Sequence, residues 1–280
     1  MPLQYACFIL RFGILPQASY VLTRSLDVKH MLITGAAQGI GLATARHFAA
    51  MGWFVGLYDI NREGIQSLLD SGEFPQACGD YCDVSDYSSV QDMCAHFAQH
   101  SGDQLQLLVN NAGVLSAGPF EQLPHTAHDA MANVNVRGAT NVLHAAFTLL
   151  RQTPGATVVN LCSASSIHGI PKLAVYSASK FYVDGLTEAL DLEWRDYDIR
   201  VTCVKPPVIN TGMGQAVTDA IPQKLSAALD PVDVAKLIQR AAQGRATSYP
   251  MGLTTRLWYF LDKLLPDRLR HALTRLLLSQ

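Results

Sequence analysis

Three residues in the second half of the sequence have the types and spacing needed to move a proton. Tyr176 and Lys180 are four positions apart, and Ser163 lies thirteen positions before Tyr176. On a helix, positions i and i+4 share a face, so the ammonium of Lys180 can lie near the phenol of Tyr176. A cation ~4 Å from the phenol, at an effective dielectric constant of ~20, stabilises the phenolate by ~4 kcal/mol. This would lower the pKa of a free Tyr from ~10 by the ~3 pH units that acid/base catalysis near neutrality requires.

The same residues have a structural interpretation, because a Tyr/Lys pair one turn apart is common on helices that do no chemistry. Ser165 and Ser166 also compete with Ser163 as the candidate hydroxyl. We select Ser163 for its spacing to Tyr176 and because a predicted strand ends just before it. The case for catalysis therefore depends on what else the chain places near this pair.

A glycine-rich turn far upstream can place a phosphate group beside them. Residues 34–41 have the spacing G-x-x-x-G-x-G, after an apolar strand and before a helix. Such glycines permit a tight turn, a close approach of backbone to pyrophosphate, and close packing of helix on sheet. The helix N-terminus then offers N–H groups and a favourable dipole to an anion. We predict that a dinucleotide contacts this turn, although glycines also end strands for structural reasons alone; the residues are Gly35, Gln38, Gly39, Ile40 and Gly41.

An acidic residue after the second predicted strand is a candidate for binding the adenosine half of a dinucleotide. Asp59 can accept hydrogen bonds from ribose hydroxyls and would repel a 2′-phosphate. Neither Gln38 nor Ile60 supplies a cation for such a phosphate, although Arg62 is close in sequence. The sequence therefore favours NAD over NADP as the cofactor. The alternative for Asp59 is a turn residue that caps a helix.

Two further segments follow predicted strands on the same side. Asp83 and Val84 come after the third strand and are placed to meet the adenine, although a turn or helix-cap role fits them equally well. Asn111, Ala112 and Gly113 come after the fourth strand. Small residues and a turn-forming Asn at that point suit a backbone that lies close to a cofactor. An ordinary strand-ending turn is the alternative.

The elements that must position these residues alternate along the chain. Strand-like apolar segments lie at 29–34, 53–58, 105–109, 157–162 and 199–204, with shorter ones ending near 81 and 249. Helical segments lie between them, the longest over 126–150 and 176–195. Near-continuous apolar strands are typical of a sheet that is buried on both faces. The alternation predicts an α/β fold: a right-handed, doubly wound parallel sheet of about seven strands with helices on both faces.

Composition narrows the class of protein. The chain has 280 residues, 49% of them hydrophobic, and a mean hydropathy of +0.13, which fits one large α/β domain over residues 28–250. A net charge of −2 and the lack of basic runs argue against a nucleic-acid partner. The six cysteines form no C-x-x-C pair, and His125 and His128 have no further ligand nearby in a recognisable pattern. Neither a disulfide framework nor a metal site is predicted, and a cytoplasmic protein is expected.

Both ends of the chain lie outside this domain. Residues 1–27 are interrupted by charged, glycine and proline residues, so no apolar stretch of ~18 residues is present there. Three interpretations of this segment remain: a disordered or docked arm, a segment that binds a membrane or a partner, or sequence translated from upstream of the native start. Residues 251–280 are predicted to form a helical extension, with one basic helix over 264–278. It could wall the substrate, dock on a partner subunit, or contact a membrane interface.

Taken together, the motifs resemble those of the short-chain dehydrogenase/reductase family in its compact, single-domain form, over about residues 29–249. The resemblance implies a Rossmann-like fold with NAD bound across the carboxyl ends of the strands. It implies Tyr176 as the catalytic acid/base, Lys180 as its electrostatic partner and ribose ligand, and Ser163 as the hydroxyl that holds the substrate oxygen. By the same resemblance, Asn135 would position a water in a proton relay through Lys180.

The segment after the sixth strand departs from the family pattern. The resemblance places Ile209 and Thr211 against the nicotinamide carboxamide, but Pro206-Pro207 stands where the family usually has Pro-Gly. The second proline fixes φ and removes an N–H, which puts the path of this loop in question. Cys162 replaces a usual second serine beside Ser163, and we expect it to be a small buried thiol.

The sequence therefore predicts an NAD(P)-dependent oxidoreductase that interconverts a secondary alcohol and a ketone by hydride transfer. The mostly small and apolar segment 212–222, a lid in this family, favours an apolar small-molecule substrate, and a homodimer or homotetramer is expected. The alternative from another class is a non-catalytic NAD(H)-binding sensor. Such a sensor would not need Ser163, Tyr176, Lys180 and Asn135 together. A methyltransferase would leave the Tyr/Lys pair unexplained.

Overall fold

A computed structural model of the chain describes residues 28–218 and 229–278. The predictions for residues 1–27 lie outside the described residues, and the predicted lid is described only as far as residue 218. None of the helices within the described ranges is both long and apolar enough to cross a bilayer.

Seven parallel strands form a single sheet in the order β3-β2-β1-β4-β5-β6-β7, which confirms the predicted fold class. The chain order reverses between β1 and β4, and in such sheets ligands bind in the crevice at that point. The strands are β1 (His30–Thr34), β2 (Phe54–Asp59), β3 (Ala77–Tyr81), β4 (Leu107–Asn110), β5 (Thr157–Leu161), β6 (Arg200–Lys205) and β7 (Ser248–Pro250).

Helices cover both faces of the sheet. They are α1 (Gly39–Ala49), α2 (Arg62–Asp70), α3 (Tyr87–Ser101), α4 (His125–Met131), α5 (Ala139–Gln152), α6 (Ala174–Glu193), α7 (Gly212–Thr218), α8 (Pro231–Gln243), α9 (Leu253–Leu264) and α10 (Asp267–Leu278).

The apolar runs of the strands are explained by a core on each face. Leu32 of β1 is buried together with Phe97 of α3 and Val142 of α5. Its neighbour Ile33 belongs to the opposite cluster, with Phe48 of α1 and Ile238 of α8. Alternate side chains of one strand thus enter two separate cores, so both must be apolar. The helices therefore hold the sheet on both faces, and the loops that follow the carboxyl ends of its strands begin at fixed positions.

Two helical segments differ from their predictions. The single helix expected over 126–150 is interrupted by a π-helical turn, Ala132–Gly138, between α4 and α5. In the C-terminal extension, the helix predicted over 264–278 begins only at Asp267, and Leu265 between α9 and α10 is extended, with ψ 138°. Pro266 accounts for that break, because a proline disfavours helical geometry in the residue before it.

Candidate active site

In the turn after β1, the most crowded positions require glycine. Gly35 and Gly39 have positive φ angles of 69° and 56°. A Cβ on Gly35 would lie 2.9 Å from the Asn111 Nδ2, and one on Gly41 would lie 1.9 Å from the Gly35 carbonyl oxygen. The Gln38 side chain makes no capping hydrogen bond to α1, so the N–H groups of the first helical turn remain for an anionic ligand.

The turn after β4 is fastened to the glycine turn. The Asn111 side chain donates to the carbonyl oxygens of Thr34 at 2.8 Å and Gly35 at 3.1 Å. In return, the Thr34 hydroxyl oxygen accepts the backbone N–H groups of Asn111 and Ala112, each at 3.1 Å. These bonds hold the two segments that the sequence predicts to bind the cofactor at a fixed separation. Both segments line the same cavity.

Asp59 ends β2 at the edge of that cavity. Its two carboxylate oxygens accept the N–H groups of Ala37 and Asn61, each at 3.0 Å, which orients the carboxylate. Arg62, the cation that left the cofactor preference open, donates to Asp80 at 2.6 Å and lies 5.2 Å from the centre of the Tyr81 ring. The nearest cation in sequence is therefore already neutralised by a carboxylate.

The segment after β3 lies at the same end. The Asp83 carboxylate accepts both the backbone N–H of Ser85 at 2.9 Å and its hydroxyl at 2.7 Å. Val84 contacts the start of α5, where a Cβ on Gly138 would lie 2.6 Å from a Val84 methyl. Asp83 thus has the turn role that its sequence context allowed, and both residues also line the cavity.

Ser163, Tyr176 and Lys180 meet at the ends of β5 and α6. The Ser163 hydroxyl lies close enough to the phenol of Tyr176 to lower the pKa of the phenol, and it donates to the Ser165 hydroxyl at 3.3 Å. The Lys180 ammonium lies 5.7 Å from the centre of the Tyr176 ring and donates to the Leu161 carbonyl oxygen at 2.7 Å. All three predicted catalytic groups therefore face one another, and Ser166 is excluded because its hydroxyl is bonded to the Ser163 carbonyl oxygen.

The electrostatics of this group differ from the expectation. Desolvation raises the pKa of Tyr176 to about 12, and the hydrogen bond with Ser163 opposes that rise. Burial also lowers the pKa of Lys180, whose side chain is only 6% exposed. Burial thus opposes the effect that the sequence analysis assigned to Lys180, whose ammonium lies 5.7 Å from the ring centre. The lowering of the phenol pKa by Lys180 and a bound nicotinamide stays a prediction.

Asn135 lies within the π-helical turn and is 1% exposed. Its amide oxygen accepts the N–H of Val114 at 2.8 Å, while its amide nitrogen donates to the Val114 carbonyl at 2.9 Å and to the Ser179 hydroxyl at 3.1 Å. Asn135 is the one predicted site residue that does not line the cavity. It connects the turn after β4 to α6, close to Lys180.

The loop after β6 reaches the site despite its two prolines. The Pro206 carbonyl accepts the N–H of Ala164 at 2.8 Å, which joins this loop to the segment carrying Ser163. Ile209 forms a bridge with Leu229, and Thr211 lies against the glycine turn, 3.4 Å from where a Cβ on Gly39 would be. Ile209 and Thr211 both line the cavity, and their contact with the nicotinamide stays a prediction.

Two residues near Ser163 are Cys162, which lines the cavity, and His168. Cys162 is buried, as expected, and burial raises the pKa of its thiol well above the usual value, so the thiol is protonated at neutral pH. His168 does not line the cavity. Its ring lies 3.5 Å from the Asp262 carboxylate and 6.3 Å from the Trp258 ring centre, so it contacts the C-terminal extension.

One cavity of about 660 Å³ joins these groups, from Asp59 at one end to Trp258 at the other. Leu173 also lines the cavity and was not predicted to do so. A substrate wall was one of three roles considered for residues 251–280, of which Met251 and Trp258 line the cavity. The crowded glycine turn, the open helix N-terminus and the oriented Asp59 carboxylate fit an adenine dinucleotide.

Comparison with known proteins agrees with this geometry. Residues 29–222 match the short chain dehydrogenase family. The chain is 33% identical to D-threitol dehydrogenase of Mycolicibacterium smegmatis, over 69% of this chain and 75% of that one. It is 30% identical to 3alpha-hydroxysteroid dehydrogenase of Mediterraneibacter gnavus, over 81% and 94% respectively. Its fold is similar to that of 3-ketoacyl-(acyl-carrier-protein) reductase of Brucella melitensis complexed with NADH, with a TM-score of 0.72, 25% identity, and coverage of 80% and 96%.

Proposed function

The chain belongs to the short-chain dehydrogenase/reductase family and is an NAD(P)-dependent oxidoreductase of alcohols and ketones, and we propose that Ser163, Tyr176 and Lys180 carry its proton transfer. The observation that supports this assignment is their meeting in one cavity with the glycine turn. The Ser163 hydroxyl lies near enough to lower the pKa of the phenol, and the Lys180 ammonium lies beside the ring. A Tyr/Lys pair with only a structural role would not need to lie beside a turn that is suited to bind an anion.

In this proposal, each residue has a separate task. The Ser163 hydroxyl holds the substrate oxygen, and Tyr176 takes the proton of an alcohol or gives one to a ketone. Lys180 stabilises the phenolate by its charge. When bound, the nicotinamide accepts or supplies the hydride. The fixed hydrogen bonds around the glycine turn and Asn111 keep the cofactor site and the hydroxyls in register.

We propose NAD rather than NADP as the cofactor. The Asp59 carboxylate is held by two backbone N–H groups at the end of β2, where it can accept bonds from ribose hydroxyls. The same charge would repel a 2′-phosphate. Arg62 is already paired with Asp80 through Nη1 at 2.6 Å, so a 2′-phosphate would have to share that guanidinium with a carboxylate. The expected outcome is a clearly lower Kd for NADH than for NADPH.

We propose that Asn135 acts as a positioning residue. Its side chain holds the turn after β4 against α6 through Val114 and Ser179. This keeps Gly113 beside Lys180, whose ammonium would lie 3.7 Å from a Cβ at that position. A water relay that starts at Lys180 and passes Asn135 stays a prediction. So do the homodimer or homotetramer and the cytoplasmic location.

The test is an NAD-linked absorbance assay over secondary alcohols and ketones, run on the wild type and on Ser163→Ala. We expect NADH formation with at least one alcohol, and a fall in kcat of about 10²-fold or more in the variant with unchanged NADH affinity. Tight NADH binding without turnover of any compound would instead favour the non-catalytic sensor. Equal turnover in wild type and variant would remove Ser163 from the mechanism.

A further inference from the structure

The half of the cavity beyond the nicotinamide end is lined mostly by apolar side chains. In the sheet, β5, β6 and β7 lie on the side of the crevice away from β2 and β3, which lead to Asp59 and Asp83. The segments after β5, β6 and β7 therefore line the half where the substrate binds. We call this region the substrate half; its side chains include Ile167, Leu173, Val208, Val217, Met251 and Trp258.

Charge is unevenly distributed along the cavity. Among the described residues that line it, Asp59, Asp83 and Lys180 are the charged ones. The two carboxylates lie at the adenosine end, and Lys180 donates to a backbone carbonyl beside Tyr176. An anionic substrate would thus lose its hydration at the substrate half without gaining a cation from the described lining. A polyol would leave several hydroxyls without partners, which costs free energy as well.

The outer wall of the substrate half comes from α9, and that helix is fixed to the catalytic segments. Asp262 lies 3.5 Å from His168, in the loop that carries Ser163. Also on α9, the Tyr259 ring lies 4.8 Å from the ammonium of Lys205, the last residue of β6. Lys205 is 1% exposed. These two contacts fix α9 and thereby fix Trp258 in the wall of the cavity.

Resting on the proposed function, we propose that the substrate is a neutral secondary alcohol or ketone with an extended apolar body, and that Trp258 selects for that body. The alcohol loses a hydride from its carbinol carbon to NAD⁺ and its hydroxyl proton through Tyr176 to solvent. The products are the ketone, NADH and one proton. Trp258 takes no part in this chemistry and acts only on the distal part of the substrate.

A homologous series of 2-alkanols tests the proposal in the NAD-linked assay. From butan-2-ol to octan-2-ol, kcat/KM should rise about fourfold per methylene, the factor that corresponds to ~0.8 kcal/mol for burying one CH₂ group. The neutral alcohol 4-methylpentan-2-ol should exceed its anionic near-isostere 3-hydroxybutanoate by about 100-fold or more. Butane-2,3-diol should be no better than butan-2-ol.

Substitutions at two positions of α9 test whether Trp258 causes the dependence of kcat/KM on chain length. Trp258→Ala should lower kcat/KM for octan-2-ol about tenfold or more, while that for butan-2-ol stays within about twofold. Phe260→Ala is the matched control, because Phe260 is an exposed aromatic residue on the same helix and does not line the cavity. It should leave the whole series unchanged. Trp258→Phe, which keeps an aromatic ring, should show the same chain-length dependence to a smaller degree if Trp258→Ala does not fold.

The outcomes separate this proposal from the function it rests on. A flat series, or faster turnover of the hydroxy acid or the diol, would overturn the apolar substrate while the alcohol dehydrogenase assignment stood. Equal losses for short and long alcohols in the Trp258 variants would overturn the role of that residue. NADH binding without turnover of any alcohol would overturn the proposed function itself, and the substrate proposal with it.

Discussion

Removing the charge of Lys180 should raise the pH at which the enzyme oxidises alcohols. Desolvation raises the pKa of Tyr176 to about 12, so the phenolate needs about 7 kcal/mol of added stabilisation to exist near pH 7. The ammonium lies 5.7 Å from the ring centre. At about that distance and an effective dielectric constant of ~20, a unit charge on the phenolate would interact with the ammonium by about 3 kcal/mol, or about two pH units. The positive charge of bound NAD⁺ would supply further stabilisation of the phenolate.

The perturbation is Lys180→Met, which removes the cation and keeps a chain of similar length. Because the phenolate then loses a favourable charge, the apparent pKa of the basic group in the kcat/KM profile should rise by about two pH units. At pH 7 the oxidation rate should fall about 100-fold, with partial recovery at high pH. Lys180→Arg keeps the charge and should leave the profile closer to that of the wild type. An unchanged pKa in Lys180→Met, with NADH still bound, would refute the electrostatic role.

Three further variants test the cofactor site and the packing that supports it. Asp59→Asn should raise the Kd for NADH about tenfold and lower that for NADPH, measured by fluorescence titration; an unchanged ratio would argue against ribose recognition by Asp59. Gly41→Ala should abolish NADH binding and lower the melting temperature, since its Cβ would lie 1.9 Å from the Gly35 carbonyl oxygen; normal binding would contradict the close packing described. Asp184→Asn should lower the free energy of unfolding by about 3 kcal/mol in urea titrations, because Lys205 is 1% exposed and would lose its ion-pair partner at 2.6 Å. An unchanged unfolding midpoint would show that the ion pair contributes little to stability.

The fold could be predicted because its signals are local in the sequence. Apolar runs such as Met31-Leu32-Ile33 mark strands that enter a core on each face. The glycine turn follows from a spacing that is visible within eight residues. The pairing of Tyr176 with Lys180 follows from helical periodicity, and α6 confirms the helix that carries them. Ser163 follows from its spacing to Tyr176 and from the strand end before it, whereas its role as the hydroxyl that holds the substrate oxygen needed the resemblance.

The rest depends on contacts between distant parts of the chain. The π-helical turn at Ala132–Gly138 holds Asn135 against Val114, a partner that helical periodicity does not indicate. The bond between Lys180 and the Leu161 carbonyl, and the raised pKa of Tyr176, depend on burial that only the fold creates. Trp258 enters the cavity because α9 packs beside the loop after β5. Nothing in its own sequence neighbourhood specifies that direction.

The central claim is that the phenol of Tyr176 exchanges the proton with the substrate. Tyr176→Phe keeps the ring beside Lys180 and deletes only the hydroxyl, so it isolates that group. We predict that kcat on an identified alcohol falls about 10³-fold or more, while the Kd for NADH stays within about twofold. Wild-type turnover by Tyr176→Phe would contradict the account.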